Sequence, residues 1–299
     1  MILLAGDVGG TKTLLRAVAD GLTLHEARYE SAAWPTFAAL LADFLKNVPG
    51  PIDAACFAVA GPVYEGAAEV TNVGWRIEEK ALAIPRVRLI NDFYAVALGV
   101  PLLVESDLLS IQSGQRDRTA PMAILGAGTG LGEALIVDGE VVASEGGHAD
   151  FAPQDEEQAR LFLYLRERYG HVSWERLVSG MGLVNIFTFL GGNELDPAEI
   201  ADLADAGDPR ATRTFEIFVD IYGAEAGNKA LQVLARGGVF LAGGIAAKNV
   251  PRFTDGRFVD AFVRKGRFEA LMRTIPVDLI VNEEVGLIGA LEGARRLAG

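Results

Sequence analysis

Apolar residues fall along this chain in two rhythms. Short apolar runs bounded by Gly, Pro or Asp predict strands at 1–5, 13–19, 22–29, 54–60 and 87–90. Between them Phe37, Leu40, Leu41, Phe44, Leu45 and Val48 keep helical spacing and form one apolar stripe, which Pro49-Gly50-Pro51 ends. The pattern predicts a mixed sheet, with hairpins first and helical crossovers later. A second set begins near residue 120, with strands at 122–125, 133–137 and 140–144 and a glycine-rich turn between the first two. It repeats the opening arrangement, so the chain reads as a weak internal duplication, two related α/β domains. Residues 156–236 are largely helical by pattern; 208–235 is a long helix candidate whose middle is weakened by Gly223 and Gly227. Strands at 239–242 and 277–281 follow. A closing helix at 284–297 has Leu287, Ile288, Leu291 and Ala294 on one side. No long linker appears, so short crossings near 99–101 and 276–284 join the halves. The expected division is a small domain at 1–100 plus 282–299 and a large one at 101–281.

Charge and composition narrow the partners. A net charge of −13 over 299 residues leaves no excess of Lys and Arg to neutralise nucleic-acid phosphates or an anionic membrane. The single cysteine, Cys56, builds no disulfide framework or zinc cluster and reads as a buried core thiol. No basic leader precedes the first strand, and no run approaches the ~18 apolar residues of a membrane span. A soluble, cytoplasmic setting is expected.

Two glycine-rich turns carry the first candidate chemistry. Gly6-Asp7-Val8-Gly9-Gly10-Thr11-Lys12 lies between two apolar strands, where glycine and threonine expose backbone N–H groups and hydroxyls that suit phosphate oxygens. Asp7 at its head is placed to hold Mg²⁺, through water. The second turn, Gly126-Ala127-Gly128-Thr129-Gly130-Leu131-Gly132, is spaced G-x-G-x-G-x-G and leads into a strand. It is neither a dinucleotide fingerprint nor a Walker loop. Either turn alone reads equally as a plain hairpin; two of them suggest a grip on the phosphates of one ATP from both sides.

Polar residues between and after the turns suggest a sugar. Asn91-Asp92 stands where a strand ends and a helix begins, so Asp92 is either an N-cap or a general base for an attacking hydroxyl, with Asn91 on a neighbouring hydroxyl. Glu145-Gly146-Gly147-His148 puts a carboxylate and an imidazole on one small loop, a polyol clamp or a polar surface turn; with three scattered histidines, zinc is not expected. Glu175 precedes a helix containing Gly180 and Gly182, and Gly243-Gly244 ends a buried strand, flat enough to lie against a purine or ribose.

In this order the segments resemble the bacterial glucokinases of the sugar kinase, heat-shock-cognate and actin superfamily, over almost the whole chain. Glu145-Gly146-Gly147-His148-Ala149-Asp150-Phe151-Ala152-Pro153 and Glu175-Arg176-Leu177-Val178-Ser179-Gly180-Met181-Gly182-Leu183 look like the non-ROK branch; the Cys-rich zinc motif of the ROK branch is missing. Asn72-Val73-Gly74-Trp75 departs from the pattern, with a glycine where many relatives carry a bulkier polar residue. The resemblance implies an actin-like, ribonuclease H-like α/β fold of two domains around a cleft, often a homodimer. It implies ATP-dependent phosphorylation of D-glucose at O6, with Asp92 as base. Asn91, Asp92, Glu145, His148 and Glu175 would bind glucose. Gly6, Asp7, Val8, Gly9, Gly10, Thr11, Lys12, Gly128, Thr129 and Gly130 would bind the phosphates, and Gly243 and Gly244 the adenosine. A kinase for another hexose such as mannose, a non-catalytic sugar sensor and an actin-like or chaperone ATPase are the rival readings.

Overall fold

A computed structural model describes residues 1–299. Contacts divide them into two units, Met1–Val104 with Asn282–Gly299, and Glu105–Val281. Each has its own central sheet and hydrophobic core.

In the first unit β1 (Ile2–Val8), β2 (Lys12–Ala19) and β3 (Leu22–Glu30) form an antiparallel meander. Helix α1 (Phe37–Leu45) then crosses to β4 (Ala54–Val59), which pairs parallel with β1. Thr36 starts α1 by accepting the Ala39 N–H, and Phe37, Leu40, Leu41 and Phe44 bury their stripe against Leu4, Leu15 and Phe57. The strands β5 (Val63–Tyr64), β6 (Ala67–Val70) and β7 (Trp75–Glu78) make a small separate sheet, after which β8 (Val87–Asn91) joins β4 in parallel. The order is β3-β2-β1-β4-β8, and α2 (Asp92–Gly99) leaves the end of β8.

The C-terminal helix (Val285–Ala298) packs beside α2 and over β1 and β4. Gly293 permits this: a Cβ there would lie 2.6 Å from Cys56 Sγ. Burial pushes the Cys56 thiol up to about 12, so it is a core residue and not a nucleophile.

The second unit contains β9 (Leu108–Gln112), β10 (Met122–Ala127), β11 (Leu131–Val137) and β12 (Glu140–Ser144). A helical stretch follows: α3 (Glu156–Tyr169), α4 (Gly180–Phe189), α5 (Pro197–Asp205) and α6 (Pro209–Val233). Next come β13 (Gly238–Ala242), the short helices α7 (Gly244–Lys248), α8 (Val250–Phe253), α9 (Arg257–Val263) and α10 (Glu269–Met272), and β14 (Val277–Ile280). The sheet order is β12-β11-β10-β13-β14-β9. Its first five strands repeat the pairings of the other sheet, two antiparallel then two parallel, which is the duplication expected from the sequence.

Helix α6 runs unbroken through Gly223 and Gly227. A Cβ at Gly223 would overlap the Phe258 carbonyl oxygen, and one at Gly227 would lie 2.5 Å from that of Phe262. Glycine lowers helix propensity by about 1 kcal/mol, but here it lets α9 pack against the backbone of α6. Phe218, Tyr222, Phe253, Phe258 and Phe262 fill the interface. No helix is long and apolar enough to cross a membrane.

Candidate active site

The first glycine turn is shorter than its motif. Gly6 and Val8 lie within β1, paired to β2 and β4, and Val8 is buried. Gly6 is glycine because a Cβ would meet Phe57 Cδ1 at 2.6 Å and Leu15 Cδ2 at 2.7 Å. These two residues aim the strand; the turn itself is residues 9–11, closed by Gly9 N–H to Lys12 O at 3.0 Å, with Thr11 and Lys12 exposed. Ser31, which the sequence reading missed, anchors it. Ser31 Oγ donates to Gly9 O at 2.7 Å, its N–H donates to Thr11 O at 3.0 Å, and Thr13 Oγ1 lies 3.0 Å from its hydroxyl. Gly10 packs on Asn72, whose Cβ would be 2.6 Å from a side chain there. Asn72 begins the departing segment, where Gly74 takes a positive φ of 67° that favours glycine.

Asn91 is the N-cap of α2. Its Oδ1 accepts from Phe93 N–H at 2.9 Å and Tyr94 N–H at 3.1 Å, while its amide donates to Gly61 O at 3.1 Å. The cap reading of Asp92 therefore falls to its neighbour. Asp92 is the first residue of the helix, with Oδ1 accepting from Phe93 N–H at 2.9 Å. Burial raises its pKa, opposed by the local N–H donors and Asn91. Burial, then the charge of Asp92, push Asp7 up to about 6, with Arg28 opposing. The Asp92 charge thus acts on Asp7, a like-charge effect that disfavours ionisation of the Asp7 carboxyl. No cluster of three or more His, Cys, Asp or Glu forms a protein-only metal site.

In the second unit the turn at 128–130 is closed by Gly128 N–H to Gly130 O at 2.9 Å. Thr129 is exposed, and a Cβ at Gly128 would meet nothing within 4 Å. Glu175 lies against this turn: its Oε2 accepts from Leu131 N–H at 2.9 Å and occupies the space a Cβ of Gly130 would take. Ser179 caps α4 by accepting from Gly182 N–H at 3.1 Å and donates to Glu175 O at 2.7 Å. Gly180 N–H donates to Gly128 O at 2.8 Å. Gly182 packs on the Leu177 backbone, so its glycine serves the fold.

The segment carrying Glu145 and His148 is laced to the one carrying Glu175. Asp150 bridges Ser173 across the backbone and meets His171 Nε2 at 2.8 Å, Trp174 N–H donates to Ala149 O at 3.1 Å, and Phe151 packs edge-on to Trp174. His148 thereby stands between two carboxylates, Nε2 3.9 Å from Glu145 Oε2 and Nδ1 3.8 Å from Glu175 Oε1. Glu145 and His148 are exposed and Glu175 is half-buried, so the set presents open donors and acceptors. Gly243 takes a positive φ of 87°, and its Cβ position is filled by Ala127 O. Its glycine is a backbone requirement; Gly244 is exposed, with only Lys248 Cε, 4.0 Å away, near its Cβ position.

These motifs have a common occurrence. A sequence profile of the family described as Glucokinase matches residues 4–296. The chain belongs to the glucokinase family. The glucokinase of Nostoc sp. (strain PCC 7120) is 41% identical over 340 aligned positions, covering 99% of both chains. A glucokinase crystal structure from an Antarctic psychrotroph matches at TM-score 0.91 and 31% identity over 99% of both chains. A ROK family glucokinase from Streptomyces griseus, in complex with glucose and AMPPNP, matches at TM-score 0.65 and 20% identity over 99% of this chain and 100% of that one. It shares the fold. The family's two-domain, actin-like α/β class agrees with the paired mixed sheets described above.

Proposed function

We propose that the protein phosphorylates D-glucose at O6 with ATP, the entry reaction of glycolysis. Family membership over residues 4–296 supports this activity. The observation that carries the chemistry is the division of labour at the start of α2. Asn91 takes the capping role, and Asp92 keeps a carboxylate of raised pKa one residue on. Asp92 accepts the proton of the 6-hydroxyl as the phosphoryl group arrives. The remaining amide N–H of Asn91 serves a neighbouring hydroxyl. Glu145, His148 and Glu175 hold others, a polyol set that a plain ATPase has no use for.

The N–H groups and hydroxyls of 9–11 and 128–130 receive phosphate oxygens, with Lys12 adding charge. Gly244, beside Gly243, leaves room for the adenosine. Asp7 would hold Mg²⁺ through water, and the ion supplies charge neutralisation to the phosphates when bound. These roles would be shared between a small domain, 1–100 with 282–299, and a large one, 101–281. Exclusion of water protects ATP from hydrolysis. We include a homodimer, as the resemblance implies, and a cytoplasmic location.

A coupled assay with a panel of hexoses and phosphoryl donors tests this. Glucose is expected to give the highest kcat/KM. ATP consumption that ignores every sugar would mark an ATPase, and a preference for mannose or an amino sugar would reassign the substrate.

A further inference from the structure

Beneath the 145–148 turn lies a buried ionic cluster to which the reaction assigns no role. Glu133 on β11 and Glu225 and Lys229 on α6 are each more than nine-tenths buried. Lys229 Nζ stands 2.7 Å from Glu133 Oε2 and 3.3 Å from Glu225 Oε1. Asn228 Nδ2 donates to Glu225 Oε2 at 2.9 Å, and Lys265 Nζ donates to Asn228 Oδ1 and to Ala224 O, both at 2.7 Å. Neither oxygen of Glu133 has a hydrogen bond of good geometry, so Lys229 holds it by charge.

Gly146 rests on this pair. A Cβ at Gly146 would overlap both Glu133 Oε2 and Lys229 Nζ and come within 3.0 Å of Ser144 Oγ, which accepts the Gly146 N–H at 3.0 Å. The backbone between Glu145 and His148 therefore sits directly on a buried salt bridge. Such a pair adds little stability over apolar packing of equal volume. It does fix one geometry, because each charge is tolerated only beside the other.

We propose that Glu133 and Lys229 are positioning residues for the sugar-side turn, setting the place of Gly146 and through it the side chains of Glu145 and His148. This rests on the reading that those two side chains bind the hexose. The pair also responds to pH. Burial first, then the charge of Glu225, push Glu133 up to about 7, against the pull of Lys229. Protonation of Glu133 removes the attraction that seats Gly146. The other groups near the pair are Glu225 and Tyr222 on α6, Lys265 after α9, and Ser144 Oγ on β12 beside Gly146, while Glu145 and His148 on the turn are exposed.

Steady-state kinetics of the full chain test this with Glu133→Gln, which keeps shape, and Lys229→Met. Each variant is expected to raise the glucose KM roughly tenfold, with kcat and the ATP KM within about twofold of wild type and Tm preserved in Glu133→Gln. The wild-type glucose KM should be higher at pH 6 than at pH 8. Glu133→Gln should reduce that difference while His148 is left unchanged. Unchanged glucose KM and pH dependence in both folded variants would overturn the proposal. So would a parallel loss of kcat, both KM values and Tm, which marks a merely structural role. Wild-type protein without glucose-dependent turnover removes the parent reading and this one together; active wild type with indifferent variants removes this one alone.

Discussion

Glu175 Oε2 accepts the Leu131 N–H at 2.9 Å, while Oε1 of the same carboxylate stands 3.8 Å from His148 Nδ1. One side chain thus joins the second glycine turn to the sugar-side loop. Glu175→Gln keeps an oxygen for Leu131 and loses the charge beside His148, so the glucose KM should rise while the ATP KM holds. Glu175→Ala removes both contacts and should raise both. Separate saturation curves for glucose and ATP check this; equal effects of the two variants on both curves would break the link.

Gly128 and Gly130 differ in what surrounds them. Gly128 has open space where a Cβ would stand, and Gly130 has the Glu175 carboxylate. Gly128→Ala should leave Tm within about 1 °C, since a surface change away from any contact falls within ±0.5 kcal/mol, yet raise the ATP KM because phosphate would approach there. Gly130→Ala should lower Tm as well. Thermal melts with ATP titrations distinguish them; a Gly128→Ala protein that binds ATP as well as wild type would remove that amide from the phosphate grip.

Asp7 gives a stability prediction with a definite sign. Its folded pKa of about 6 lies above its ordinary 3.8. The native state therefore holds the proton that the unfolded state releases between these values. The stability this contributes is complete below pH 3.8 and lost as pH rises through about 6. Above pH 6 the ionised carboxylate destabilises the metal-free fold by about 1–3 kcal/mol. Asp7→Asn should raise stability by that order at pH 8 and hardly change it at pH 4, by denaturant melts without Mg²⁺. Mg²⁺-dependent turnover should fall in the same variant.

Glu145→Ala and His148→Ala should each raise the glucose KM before affecting kcat, because their side chains hold hydroxyls away from the transferred phosphoryl group. A glucose saturation curve unchanged in both variants would remove them from the clamp.

Much of the framework was legible because it is local. The meanders β1-β2-β3 and β10-β11-β12 showed as apolar runs broken by glycine, and α1 as a single stripe. The sheet of β5, β6 and β7 was not: strands of two to four residues are too short for alternation to register. The glycines of α6 read as a weakness because the carbonyls they accommodate, on Phe258 and Phe262, arrive from another element. At the site, the strand end at Asn91-Asp92 was visible, but which of the two caps the helix was not. Ser31 carried no signal, since its partners, the Gly9 and Thr11 carbonyls and the Thr13 hydroxyl, lie about twenty residues earlier. Glu225 and Lys229 resemble an exposed i,i+4 pair; what makes them interior comes from residues distant in sequence, Glu133 and Gly146 over Lys229 and Lys265 near Glu225.

The base is the centre of the proposed reaction. Asp92→Asn preserves the shape of the side chain and the cap made by Asn91, so the decisive quantity is kcat with glucose and ATP saturating, alongside glucose binding by calorimetry. The expected result is a kcat lower by about 10²–10⁴ with glucose affinity little changed. A variant that turns over near the wild-type rate would contradict the assignment of Asp92.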